Sequence, residues 1–293
     1  MEPCKICNSQ DWVVGYEGSI RSGTFGNTVS GTVYQCSNCG VQILPSVIND
    51  LDSYYRDGTY RDNVNESSDI ETYFKLHDAE QLKKYAILEN IPLRGKILAD
   101  VGCGGGSFLD GIRGFASQTI GIEPTLAYHD SLKTRGHRVY PDIDGAISEW
   151  RGRVNVVTSY SVIEHVKDPV GFLRSIKDLL AKDGVVVVST PNLRDFLLSE
   201  GVKSYQSFFY RTAHIHYFHQ DSLKAAAQKA GFSDFVPKHV HRFNFANFMG
   251  WLQENKPTGG KQLTALGPSF DSIWQSSLEA RGISDYLYAY LRR

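Results

Sequence analysis

The 293-residue sequence has no excess charge, no long apolar run and no biased tract. Each absence narrows what the chain can be. With 31 Lys+Arg against 32 Asp+Glu the formal net charge is -1, so there is no global attraction to a phosphate backbone or an anionic lipid surface. Nucleic acid would have to be met through a local patch. No segment approaches the roughly 18 consecutive apolar residues that membrane insertion needs. The opening Met-Glu-Pro-Cys-Lys-Ile-Cys carries charge and thiols where a signal peptide needs an apolar stretch. A cytoplasmic chain is therefore expected. A 41% hydrophobic fraction without low-complexity tracts excludes disorder and allows a sizeable core. Cysteine is scarce as well, at five residues, and in a reducing compartment thiols are more often metal ligands or catalytic groups than disulfides.

Four of those cysteines form two Cys-x-x-Cys pairs, Cys4/Cys7 and Cys36/Cys39. Each pair suits a tight turn that aims two thiolates at one ion, and four thiolates complete the closed tetrahedral shell of structural zinc. Between the pairs lie β-like stretches at Trp12–Tyr16 and Thr32–Gln35, joined by a Gly/Ser/Asn-rich span from Gly18 to Gly31. The segment reads as a zinc ribbon. A redox role for one pair is the competing reading, but neither pair sits in a βαβ pattern.

A connector follows, with Tyr54, Tyr55 and Tyr60 in its first part and a polar loop over 61–68. Ser68 with Glu71 makes a capping box, and helical spacing runs from Ile70 to Asn90, stopped by Pro92. The tyrosines serve either as packing between ribbon and core or as a lid over substrate.

From Lys96 the pattern alternates. Strands are predicted at Lys96–Asp100, Thr119–Glu123, His137–Tyr140, Val154–Ser159 and Val185–Ser189. Helices are predicted at Ser107–Arg113, Thr125–Thr134, Asp144–Trp150 and Pro169–Ala181. Such alternation implies a mostly parallel sheet with helices on both faces and ligands at the carboxyl ends of the strands. The first turn, Asp100-Val101-Gly102-Cys103-Gly104-Gly105-Gly106, follows a strand and opens a helix, so a ligand can approach its backbone closely. Glu123 closes the second strand, where a carboxylate can take both hydroxyls of a ribose.

Together with Glu164-His165-Val166-Lys167-Asp168-Pro169 and the run Leu179–Asn192, these features make Leu98–Asn192 resemble the class I S-adenosylmethionine-dependent methyltransferases. The resemblance implies an α/β, Rossmann-like seven-stranded sheet, mostly parallel with the last strand antiparallel, carrying a small N-terminal zinc ribbon. It divides the chain into a ribbon (1–46), a Tyr-rich connector and helix (47–92), a methyltransferase core (93–245) and a C-terminal helical extension (246–293). It also implies roles. Asp100, Gly102, Cys103, Gly104 and Gly106 would hold the methionine part of the cofactor. Glu123 with Pro124 would meet the ribose, and Asp142 with Ile143 the adenine, with Asp144 as the alternative partner of the amino group. Tyr160 and Ser161 would line the methyl-donor pocket. Cys103 reads as a small filler in the turn rather than a nucleophile. Asn155 departs from the acidic residue that often opens the fourth strand in the family. After the fifth strand, His214–Phe232 resembles the helix before the final strand pair, with Leu223, Ala227 and Ala230 on one face and Gly231 as its stop. The last two strands are then expected within about 232–245.

Methyl transfer from a sulfonium relies on alignment and desolvation of the reactants, and a hydroxyl or acidic C–H acceptor also needs a base. His165, beside Glu164 at the mouth of the site, is the candidate base, with Tyr160 and His216 as further candidates. The other reading of Glu164 and His165 is that they brace the turn. His214, His216 and His219 are too loosely spaced for a metal motif of the zinc-protease type. The ribbon, connector and core together resemble sugar methyltransferases of bacterial surface-polysaccharide pathways, implying a nucleotide-linked sugar or glycan precursor as small-molecule partner and O-, N- or C-methylation. The chain after Gly231 is too short for the further domain that sugar C-methyltransferases carry. The core also resembles quinone-pathway O-methyltransferases, which lack the ribbon. A zinc-ribbon RNA methyltransferase and a cofactor-binding interaction protein are further alternatives; the balanced charge argues against RNA.

Overall fold

In the computed structural model of the protein, residues 1–45, 51–57, 69–259, 263 and 267–293 are described, the side chains of 51–53 excepted. Tyr60, the stretch 61–68 with Ser68, and Gly260 lie outside the described residues. Two strands open the chain: β1 (Trp12–Arg21) and β2 (Thr28–Cys36) pair antiparallel, with Gly18 opposite Gly31 and Ile20 opposite Val29. The span Gly18–Gly31, expected as a joining loop, thus supplies part of both strands, and the turn is confined to 22–27, closed by the Ser22 N–H donating to the Asn27 carbonyl at 2.9 Å. The reason lies in packing. A Cβ at Gly31 would sit 2.4 Å from Ile20 Cδ1, so the glycine makes room for the buried Ile20 rather than marking a loop. A short β3 (Gln42–Ile43) adds to β2.

The connector contains helix Leu51–Arg56. The single helix expected from Ile70 to Asn90 is broken into Ile70–His77, a 3₁₀ turn Asp78–Glu80 and Gln81–Ile87. Asp69 caps the first piece, accepting from the Thr72 N–H at 2.8 Å. The break lets Tyr73 face the glycine turn while the Tyr85 hydroxyl donates to the Ser107 carbonyl at 3.3 Å.

The core strands are β4 (Ile97–Val101), β5 (Gln118–Ile122), β6 (Arg138–Tyr140), β7 (Val154–Tyr160) and β8 (Leu180–Pro191). They are followed by β9 (His216–Tyr217), β10 (Asp234–Val240) and β11 (Tyr286–Arg292). The seven-stranded sheet runs β10-β11-β8-β7-β4-β5-β6, parallel from β8 to β6, with β11 antiparallel to both its neighbours. Helices lie between these strands, among them Ser107–Ile112, Ile143–Trp150, Pro169–Leu179 and Gln220–Lys229. Leu173, Ile176 and Leu179 of one helix and Leu223, Ala226 and Ala227 of another are fully buried in one core. The helix expected to start at Thr125 opens with a 3₁₀ turn, Leu126–Tyr128, before His129–Thr134. Asn155 answers the family departure structurally: its Oδ1 accepts from the Ile97 N–H at 3.0 Å, tying β7 to the start of β4.

Only β10 falls within 232–245; its partner β11 comes from the end of the chain. The region 246–293 is therefore not a purely helical extension, because helices Phe245–Gln253 and Gly267–Ala280 lead into a strand buried inside the core sheet. Nor is the ribbon closed on itself. β9 pairs with β3, giving a four-stranded sheet β1-β2-β3-β9. Ile20, Val33 and Leu44 share a core with Tyr205, Phe209, Tyr217 and Trp251. A ribbon this small has little core of its own, and it completes one by borrowing from the larger domain. No helix among the described residues is long and apolar enough to cross a membrane.

Candidate functional site

The glycine turn sits at the carboxyl end of β4. Gly102, Gly104 and Gly106 have φ of 79°, 54° and 91°, which side-chain-bearing residues rarely adopt. Tyr73 lies against the turn, since a Cβ at Gly104 would come within 2.5 Å of its hydroxyl. Asp100 is buried beneath, where its Oδ1 accepts from the Thr158 hydroxyl at 2.6 Å and burial pushes its carboxyl up to about 6. Its side chain ties β4 to β7 and does not line the chamber. The Cys103 side chain is likewise buried, packed toward Gly121, with its thiol pushed well up by burial, so only its backbone is offered to a ligand.

Glu123, at the end of β5, is buried and held by two main-chain donors: the Gly104 N–H at 2.8 Å and the Thr125 N–H at 2.9 Å. His129 Nε2 donates to the Glu123 carbonyl at 2.7 Å. The carboxylate is thus oriented before any ligand arrives. Asp142 caps helix Ile143–Trp150, its Oδ1 accepting from the Gly145 N–H at 2.7 Å.

These residues meet at a chamber of about 910 Å³ whose lining includes Gly102, Glu123, Pro124, Asp142, Ile143 and Asp144 together with Tyr160, Ser161, His165, Arg211, Arg242 and Tyr286. Ser161 has a φ of 58°, an outlier for a non-glycine residue, and its hydroxyl meets that of Tyr286. Tyr160 is buried, which drives its phenol well up, and its hydroxyl has no hydrogen-bond partner. Its side chain forms part of the chamber wall.

His165 Nδ1 lies 2.9 Å from the Ala213 carbonyl and 2.8 Å from the Tyr55 hydroxyl. A carbonyl only accepts, so the ring proton belongs on Nδ1 and the lone pair on Nε2. Tyr55, singled out in the connector, is itself fixed by its carbonyl accepting from the Thr125 hydroxyl at 2.9 Å. Tyr54 packs edge-on against Tyr55.

Two candidate catalytic residues are placed elsewhere. Glu164 is 1% exposed and outside the chamber lining; burial pushes its carboxyl up to about 7, and neither oxygen has a hydrogen-bond partner. Its carbonyl accepts from the Ile215 N–H at 2.8 Å. His216 is buried in β9, stacked on Phe218, and burial lowers its imidazole to about 4. It is not among the residues that line the chamber. His219 caps helix Gln220–Lys229, accepting from the Asp221 N–H. The sequence reading missed Arg211, Arg242 and Tyr286, which carry no local motif and reach the chamber from separate loops and β11.

Apart from the chamber, Cys4, Cys7, Cys36 and Cys39 bring four sulfurs within 4.8 Å of one another. Cys4 and Cys39 are 3.6 Å apart and Cys7 and Cys36 3.4 Å. Zinc–sulfur bonds of about 2.3 Å in a tetrahedron place sulfurs roughly 3.8 Å apart, so the donor set fits that ion.

A parallel sheet with an antiparallel last strand, a glycine turn after β4 and an acid closing β5 define a class I methyltransferase fold. A model of the methyltransferase domain family matches residues 73–235, more than half of the chain, and the chain belongs to that family. It is 32% identical over 126 residues to a ubiquinone biosynthesis O-methyltransferase of Marinobacter nauticus, covering 40% of this chain and 53% of that one. The chain thus spans about half the length of the curated relative it matches. In fold it is similar to an S-adenosylmethionine-dependent methyltransferase from Archaeoglobus fulgidus, with a TM-score of 0.53 and 14% identity over 80% of this chain and 98% of that one. A Burkholderia thailandensis 1,6-didemethyltoxoflavin-N1-methyltransferase bound to S-adenosylhomocysteine gives 0.50 and 13% over 88% and 96%.

Proposed function

We propose that this chain is an S-adenosylmethionine-dependent methyltransferase acting on a hydroxyl of a small-molecule acceptor. The observation that carries this is the Glu123 carboxylate, held by the Gly104 and Thr125 N–H groups in a chamber that His165 also lines. When bound, S-adenosylmethionine supplies an electrophilic methyl on a sulfonium. Glu123 would accept from the ribose hydroxyls and Asp142 or Asp144 from the adenine amino group, with the Gly102 main chain offered to the methionine part. Tyr160 and Tyr73, which line the chamber, would exclude water from the reacting centre. His165 Nε2 would take the proton of the acceptor hydroxyl as the methyl passes from sulfur to that oxygen.

The names of the relatives favour O-methylation of an aromatic or quinone-type hydroxyl. A carbohydrate acceptor, including a nucleotide-linked sugar, is the second reading, favoured by Arg211 and Arg242 in the chamber lining. The four cysteines would hold one structural zinc ion, and through the pairing of β3 with β9 the ribbon would support the chamber wall. The test is S-adenosylhomocysteine formation on two acceptor panels, catechol-type phenols and nucleotide-linked sugars. Turnover on one panel names the class, and cofactor binding without turnover on either contradicts the proposed acceptors.

A further inference from the structure

The two arginines that line the chamber are not equivalent. Arg242 Nε donates to Asp285 at 2.7 Å, and its guanidinium lies 3.9 Å over the Tyr286 ring, so its charge is already matched. Arg211 joins no ion pair among the described residues. Its Nε is buried without a hydrogen-bond partner. Leaving such a donor unpaired costs about 1–3 kcal/mol, so a chain that keeps it there has a use for it.

The main chain around Arg211 is fixed on several sides. Its N–H donates to the Tyr217 hydroxyl at 2.9 Å, and its carbonyl accepts from the same hydroxyl at 3.0 Å. Arg211 also bridges to Arg21 of β1: the Arg21 N–H donates to the Tyr210 carbonyl and the Thr212 N–H to the Arg21 carbonyl, both at 2.9 Å. A guanidinium fork on so fixed a backbone suits bidentate recognition of a planar or tetrahedral oxyanion. Glu164, which feels the Arg211 field, is not its counter-ion, because it lies beyond ion-pair distance and its carboxyl is pushed toward the neutral form by burial.

We infer that Arg211 anchors an oxyanion subsite, so that the acceptor carries a carboxylate or phosphate group besides the atom that is methylated. This rests on the reading of the chamber as the acceptor site, and it deepens that reading. The shared chemistry is an oxyanion, carried either by a hydroxylated aromatic carboxylate or by a nucleoside diphosphate moiety.

The test is calorimetric titration of the full, zinc-loaded chain saturated with S-adenosylhomocysteine. Two acids, 3,4-dihydroxybenzoate and UDP, are each paired with a neutral counterpart, catechol and uridine. One acid is expected to bind at least about tenfold more tightly than its counterpart, and which acid does so tells carboxylate from phosphate. That preference should vanish in Arg211→Gln and return in part in Arg211→Lys, with S-adenosylhomocysteine affinity unchanged in both as the check on folding. A preference that survives in Arg211→Gln, or no preference in the unaltered chain, overturns the inference while leaving the methyltransferase reading intact. No binding of S-adenosylhomocysteine to the unaltered chain overturns both.

Discussion

The Ala213 carbonyl accepts a hydrogen bond from Nδ1 of His165 at 2.9 Å, joining the wall loop before β9 to the end of the fourth core strand. The contact sets the tautomer and aims the lone pair of Nε2. His165→Ala should therefore lower kcat by about 10²–10⁴, the range of a general base, with the dissociation constant of S-adenosylmethionine within about twofold of the unaltered chain. Steady-state kinetics beside calorimetry checks this, and a kcat within a few fold would remove His165 from the chemistry.

Glu123 is oriented by the Gly104 and Thr125 N–H groups and faces the chamber. Glu123→Ala loses charge-assisted hydrogen bonds worth about 1.5–3 kcal/mol, so cofactor affinity should fall by about ten- to a hundredfold. Cofactor titration gives the answer directly. Unchanged affinity would place the ribose elsewhere.

The ribbon's fourth strand is β9, and Arg21 of β1 bridges to Arg211 in the chamber wall. Metal analysis should find one zinc per chain, lost in Cys4→Ser or Cys36→Ser. Because the wall loop hangs on the ribbon while Glu123 and the glycine turn do not, loss of zinc should raise the acceptor KM several fold and leave cofactor affinity near its original value. Equal losses on both sides would mean that the ribbon supports the whole domain. No bound zinc at all would contradict the metal proposal.

Burial pushes the Glu164 carboxyl up to about 7 from the usual range of roughly 4.3. Between those pH values the folded chain keeps a proton that the unfolded chain has released, so this group's contribution to stability falls as pH rises through the window. Asp100 shifts in the same direction and His216 in the opposite one. Comparison with Glu164→Gln cancels both. Denaturant unfolding at pH 5 and pH 8 should show the unaltered chain losing up to about 3 kcal/mol relative to Glu164→Gln. A pH-independent difference would mean that Glu164 titrates as an ordinary carboxyl.

What was legible in the sequence is what is local. The glycine turn and each Cys-x-x-Cys pair span only a few residues, and Glu123 follows the turn by one helix and one strand, so each is visible as a short-range pattern. Arg211 was not legible because strand pairing with Arg21, far away in sequence, fixes its place. β11 was hidden differently. Tyr286-Leu287-Tyr288-Ala289-Tyr290-Leu291 alternates with the period of a strand, but it follows two helices and pairs with β10 and β8 across long separations. The Gly18–Gly31 span looked like a loop because glycine and serine dominate it. Only the contact of Ile20 with Gly31 shows why glycine belongs in that strand. His216 was drawn toward the acceptor by its neighbours in sequence and away from it by β3.

The most direct test of the account is titration of the full chain with S-adenosylmethionine, followed by assay of S-adenosylhomocysteine release. The account predicts one cofactor site per chain, weakened by Glu123→Ala, with turnover that depends on His165. An absence of cofactor binding in the folded, zinc-loaded chain would contradict it.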